Sequence, residues 1–225
     1  MDDPLVRGVA VSRVYGSGDA TVVALREATF EIAAGARIAL VGPSGSGKST
    51  LLHLIAGVDR PTGGTLTWPG LPAGEPLRPG LVGVAFQGLS LLPQLDVAEN
   101  VALPLVLGGR SSRDALVLAR RRLPDFAIDQ VADQLPEQIS GGQAQRAAVA
   151  RAVVGEPRLI LADEPTGQQD QASARVLLDA LLDRTERLGA ALLVATHDEA
   201  VAARFPIRWT LGDQRLHAEE ELRSR

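Results

Sequence analysis

Nine consecutive residues, Gly42-Pro43-Ser44-Gly45-Ser46-Gly47-Lys48-Ser49-Thr50, constrain the fold more than any other stretch of the chain. They follow the apolar run Arg37–Val41 and open the helix expected over Leu51–Ala56. A strand, a glycine-rich turn and a helix start in that order form a cradle for phosphate, and the spacing Gly-x4-Gly-Lys-Ser/Thr fits one. The glycines let backbone N–H groups converge on anionic oxygens, and the helix N-terminus adds a partial positive charge. Lys48 would reach the terminal phosphates of a nucleotide, and the Ser49 hydroxyl would ligate Mg²⁺. Of the 23 basic residues, Lys48 is the only lysine. A compact ammonium is not interchangeable with a guanidinium where a point charge must fit a tight loop. An arginine-rich genome accounts for the other basic residues, but not for where the exception falls.

Two further stretches carry chemistry. Leu159–Ala162 is an apolar strand running into Asp163-Glu164. Neighbouring strand residues face opposite ways, which assigns the two acids different roles. Asp163 is expected to hold Mg²⁺ through water, and Glu164 to act as general base on the attacking water. Ile139-Ser140-Gly141-Gly142-Gln143 precedes a helix expected over Gly141–Val154. Ser140 is a good N-cap, and the two glycines bare backbone N–H groups at the positive end of that helix. The chain thus has a second candidate anion site.

The rest of the sequence sets the frame. Short apolar runs alternate with helical stretches (Ala172–Leu188 and Glu199–Arg204 among them), as in an α/β protein with a buried parallel sheet; Ala191–Ala195 is another such run. Residues 4–35 show β-branched alternation and are expected to form antiparallel strands. Residues 61–80 read as a Gly/Pro-rich loop, and residues 207–217 as a hairpin turning at Gly212-Asp213. From Gln87 to Pro157 only helices are expected, Ser112–Leu123 first. A net charge of −4 argues against a nucleic-acid partner, and the lack of cysteine excludes disulfides and thiolate metal sites. The acidic start is unlike a signal peptide, and no apolar run approaches the ~20 residues of a membrane span. A cytoplasmic protein is expected, with any membrane part supplied by another chain.

Taken in order, these motifs resemble those of the ABC ATPases. Ile139–Gln143 resembles the LSGGQ signature. Tyr15 matches the aromatic that stacks on adenine, Gln87 the Q-loop glutamine, Asp170 the D-loop aspartate and His197 the switch histidine. The stretches Val14–Asp19, Leu51–Gly57, Leu89–Leu105 and Leu161–Gly167 are most similar to the lipoprotein-release and macrolide-export branch, which includes the cell-division ATPase FtsE. The resemblance implies a P-loop NTPase with a RecA-like parallel-sheet core. To this are joined an antiparallel β subdomain (about 4–35) and an α-helical subdomain (about 88–157), all within one domain over residues 1–225.

It further implies a head-to-tail homodimer in which ATP and Mg²⁺ at Gly42–Thr50 of one subunit are closed over by Ser140–Gln143 of the other. His197 would contact the γ-phosphate, and Gln87 would sense Mg²⁺ and the membrane partner. That partner would be a separate FtsX- or MacB-like permease, its coupling segment docking near Leu91–Leu95, with the ATPase peripheral on the cytoplasmic face of the inner membrane. Powering export or extraction is one role; moving a membrane partner that regulates an external enzyme, as FtsE does, is the other. Ile139 and the pair Gln168-Gln169 depart from the usual residues of the signature and D-loop.

Overall fold

The structure is a computed structural model and describes residues 3–86, 88, 90–167 and 169–218. The Q-loop residue Gln87, Leu89, the D-loop residue Gln168 and residues 219–225 lie outside the described residues. The strands are β1 (Val6–Tyr15), β2 (Val22–Ile32), β3 (Arg37–Val41), β4 (Gly63–Thr67), β5 (Val82–Ala85), β6 (Leu159–Asp163), β7 (Ala191–Thr196), β8 (Ile207–Gly212) and β9 (Arg215–Ala218). The helices are α1 (Lys48–Ile55), α2 (Val97–Leu107), α3 (Ser112–Arg122), α4 (Gly141–Val153), α5 (Gln171–Leu188) and α6 (Glu199–Ala202). The chain divides into two compact units, one running to Glu75 and resuming at Ala191, the other spanning Pro76–Ala190.

In the first unit β1 is the centre of an antiparallel layer, paired with β2 from Val6↔Ile32 to Tyr15↔Val22 and with β4 on its other edge. Strand β3 lies between β7 and β8 and is parallel to both. β9 returns antiparallel on β8 and meets β2 at Arg26↔Arg215. Every residue of β7 is buried, as is most of β3, which is why both read as continuous apolar runs. Phe30 and Trp209 meet with ring centroids 5.4 Å apart, and α1 buries Leu51, Leu52, Leu54 and Ile55.

In the second unit β5 and β6 pair in parallel, Val82↔Leu159 to Ala85↔Ala162. Helix α4 packs directly on β5: a Cβ on Gly83 would lie 1.9 Å from the Ala152 carbonyl oxygen. Helix α5 starts where Asp170 accepts a hydrogen bond from the Ser173 N–H, and it ends at Gly189 in the left-handed region. Its buried face is Leu177, Leu178, Leu181, Leu182 and Thr185. Each such leucine contributes about 1.5–3 kcal/mol by burial, so an aspartate at Leu181 would strip the helix from its bed.

Several expectations are corrected. Residues 61–80 are not all loop, since β4 adds to the β1 edge despite its glycines. Helix α2 was hidden by Pro104, which sits inside it. The N-terminal signal was legible, because Asp96 and Glu99 form a capping box, each side chain bonded to the other's backbone N–H. Strand β5 was also missed. The tail hairpin turns at Asp213-Gln214, both with positive φ, one residue beyond the expected pair. Helix α1 begins three residues early, at Lys48 itself, and α6 ends at Ala202 rather than at Arg204.

Candidate nucleotide site

The phosphate loop leaves β3 at Val41, and the sequence around it leaves the backbone no alternative to glycine at two points. A Cβ on Gly42 would lie 2.2 Å from the Leu211 carbonyl oxygen. At Gly47 (φ 104°) it would lie 2.2 Å from that of Ala24. Gly47 caps α1 without a side chain, so the first-turn N–H groups of the helix meet no capping hydroxyl or carboxylate. Lys48 is buried, and its Nζ donates to the carbonyls of Gly42 (2.7 Å) and Pro43 (3.1 Å), which holds the ammonium over its own loop. The Ser46 Oγ is buried with no partner. Fixed donors, a cation and an orphaned hydroxyl fit a polyphosphate.

Two other residues belong to the same unit. Val41 is in register with Thr196, the residue before His197, so the histidine leaves the neighbouring strand at the edge from which the phosphate loop emerges. Tyr15 is one-third exposed; its hydroxyl donates to Asp59 at 2.8 Å, and the Arg13 guanidinium lies 4.4 Å over its ring. Arg13 also donates to Asp59 at 2.9 Å. The ring is thereby fixed by two partners that the sequence did not single out.

In the second unit the acids end β6. Asp163 and Glu164 are both nearly buried, at 5% and 9% exposure. The strand argument for their divergence is corrected: Glu164 has left the strand, with φ 48°. A left-handed residue, not the pleat, separates the two carboxylates. The cap reading of Ser140 holds, because its Oγ accepts from the Gln143 N–H while Gln143 Oε1 accepts from the Ser140 N–H. Gly141 is exposed, and a cleft of about 410 Å³ opens there, lined by Ser140, Gly141, Gly142, Gln143, Arg146, Gln169, Asp170 and Ser173. Asp170 is held below the usual carboxylate range by the Ser173 N–H and hydroxyl.

Residues 25–167 match the family model described as ABC transporter. The chain belongs to the ABC transporter family. It is an ATP-binding, ATP-hydrolysing subunit of such a transporter, with the P-loop fold read from its motifs. The lipoprotein-releasing system ATP-binding protein LolD of Legionella pneumophila (strain Lens) is 37% identical over 98% of this chain and 100% of its own length. LolD of Hydrogenovibrio crunogenus is 38% identical over 94% and 95%. Among solved structures, a dimeric bacterial ABC transporter cassette superposes with a TM-score of 0.89 at 34% identity, over 98% of this chain and all of that one. A dimeric ATP-binding cassette in a post-hydrolysis state, bound to ADP and Pi, gives 0.88 at 33% identity over the same shares.

Among the described residues no group of three or more His, Asp or Glu could hold a metal by itself. Mg²⁺ takes oxygen donors, and Ser49 in the first unit and Asp163 in the second each carry one. Among the described residues no helix is long and apolar enough to cross a membrane.

Sequence reasoning missed Asn100. It is fully buried, its Oδ1 accepts from the Leu92 N–H (2.7 Å), and its amide donates to the carbonyls of Leu92, Leu95 and Asp96. It fixes the segment after the Q-loop. Of the expected docking stretch Leu91–Leu95, Leu91 is a core residue, as is Val97 beyond it, while Leu92 is 43% exposed.

Proposed function

We propose that the chain works as a head-to-tail homodimer that hydrolyses MgATP to drive a separate membrane permease in lipoprotein extraction, peripheral on the cytoplasmic face of the inner membrane. The observation that carries this is the pairing of two features in one chain: a phosphate cradle at Gly42–Thr50 and an exposed, glycine-lined helix start at Ser140–Gln143. A triphosphate gripped by both, from opposite subunits, uses each.

Lys48 and the α1 N-terminus bind the β- and γ-phosphates, and Tyr15 stacks on adenine. Ser49, Asp163 and Gln87 would hold Mg²⁺, which would neutralise charge on the phosphates. Glu164 takes the proton of the attacking water, and His197 orients the γ-phosphate. Ser140, Gly141 and Gly142 of the other subunit complete the cradle. Lipoprotein extraction is favoured over an FtsE-like signalling role by the names of the relatives, which match along almost the whole chain.

For the permease, exposed Leu92 adjoins the segment fixed by Asn100. A groove of about 430 Å³, lined in part by Phe86, Leu103, Pro104 and Leu107, offers apolar surface to a short helix. Co-reconstitution with an FtsX/MacB-like permease in lipoprotein-loaded vesicles tests the reading. ATP-dependent release that is lost in Lys48→Ala supports it; full release by that variant overturns it.

A further inference from the structure

Glu164 adopts a backbone conformation that a residue with a side chain takes at a cost of about 1–3 kcal/mol unless its surroundings impose it (φ 48°). Its carbonyl oxygen is held from two directions. The Gly167 N–H donates to it at 3.1 Å, closing the local turn. Gln145 Nε2, from the first turns of α4, donates to it at 2.7 Å. Gln145 is itself held, because its Oε1 accepts from Gln169 Nε2 at 3.3 Å. Gln169 Oε1 in turn accepts from Arg146 Nε at 3.1 Å. All three side chains are half-buried. The run Arg146–Gln169–Gln145–Glu164 uses both ends of each amide, donor and acceptor, so neither glutamine can be replaced by an apolar residue without breaking it.

We infer that Gln145 and Gln169 are positioning residues that hold the Glu164 backbone in its left-handed setting and tie that setting to the start of α4. This rests on the reading of Glu164 as general base. Arg146 and Gln169 line the same cleft as Ser140 and Gly141. A contact made at that cleft is therefore felt at the base through four groups in series. The unusual D-loop residue at 169 thereby acquires a role, since an amide can accept from Arg146 and donate to Gln145 at once, which an aliphatic side chain cannot.

The test measures kcat, KM for MgATP and thermal midpoint for Gln145→Leu, Gln169→Leu, the double variant and Glu164→Gln. Each single glutamine variant is expected to lower kcat about tenfold with KM within about twofold, the mark of a contact that matters in the transition state. The double variant is expected to fall no further than the worse single one, because one relay is broken once. If Gln145→Leu does not fold, Gln169→Leu and Gln169→Glu carry the test, the latter keeping an acceptor for Arg146 but no donor for Gln145. Unchanged kcat in the glutamine variants beside an inactive Glu164→Gln overturns the relay, as do fully additive losses that raise KM in step. Turnover retained by Glu164→Gln overturns instead the reading of the base.

Discussion

Val41 and Thr196 are register partners across β3 and β7. The phosphate loop and the His197 loop therefore leave adjacent parallel strands at their carboxyl ends, the place where open α/β sheets bind ligands. His197→Ala should leave nucleotide binding near normal while lowering kcat about 10²-fold, the usual scale for a group that acts on developing charge. Steady-state kinetics with MgATP would check it; an unchanged kcat would remove the histidine from the site.

The glycines of the loop are not equivalent. At Gly42 and Gly47 an added Cβ meets a backbone carbonyl at 2.2 Å, and backbone cannot step aside as a side chain can. At Gly45 (φ 76°) nothing lies within 4 Å. Gly42→Ala and Gly47→Ala should each cost about 2 kcal/mol or more, whereas Gly45→Ala should cost about 1 kcal/mol from φ alone. Thermal melts of the three variants give the ranking, and equal losses would contradict it.

Asn100→Ala removes a fully buried amide that pairs with the N–H of Leu92 and the carbonyls of Leu92, Leu95 and Asp96. The Leu92 and Asp96 carbonyls keep the backbone N–H groups of Leu95 and residue 100, but the Leu92 N–H and the Leu95 carbonyl lose this partner, which should cost about 2–4 kcal/mol. Because the segment 92–96 loses its fixing point, protease cleavage there should speed up beyond what the global loss explains. Limited proteolysis at matched fractions folded separates the two effects.

Burial opposes ionisation of Asp59, but hydrogen bonds from Tyr15, the Arg60 N–H and Arg13 outweigh it and hold the carboxyl below its ordinary range. The folded pKa lies below the unfolded value of about 3.9. The contribution to stability is thus complete above that value and is lost as pH falls through the folded pKa. Denaturant midpoints of the natural protein and Asp59→Asn should differ by a constant amount from about pH 5 to 7 and converge below about pH 4. A gap that widens on acidification would contradict the assignment.

Much of the site was legible because its residues obey local rules. The limits of β3 were read correctly, since an apolar run stopped at glycine marks a strand end. Ser140 announced α4 by its cap, and Asp163 closed an apolar strand as expected, with Glu164 just beyond its end. The failures have local causes too. Pro104 concealed α2, and glycines concealed β4 on a sheet edge. The left-handed turn at Glu164 could not be foreseen, because tertiary hydrogen bonds impose it on a residue with no preference for it. Likewise, the partners of Tyr15, which include Asp59 44 residues away, are a product of the fold.

In the proposed dimer Ser140–Gly142 of one subunit closes over nucleotide held at Lys48 of the other. Sedimentation of Glu164→Gln with saturating MgATP tests it most directly, alone and combined with Ser140→Arg. Glu164→Gln should double from the 23.6 kDa of the single chain, while the double variant should bind ATP but stay single. A Glu164→Gln chain that stays single when saturated with ATP, or a double variant that pairs equally well, would contradict it.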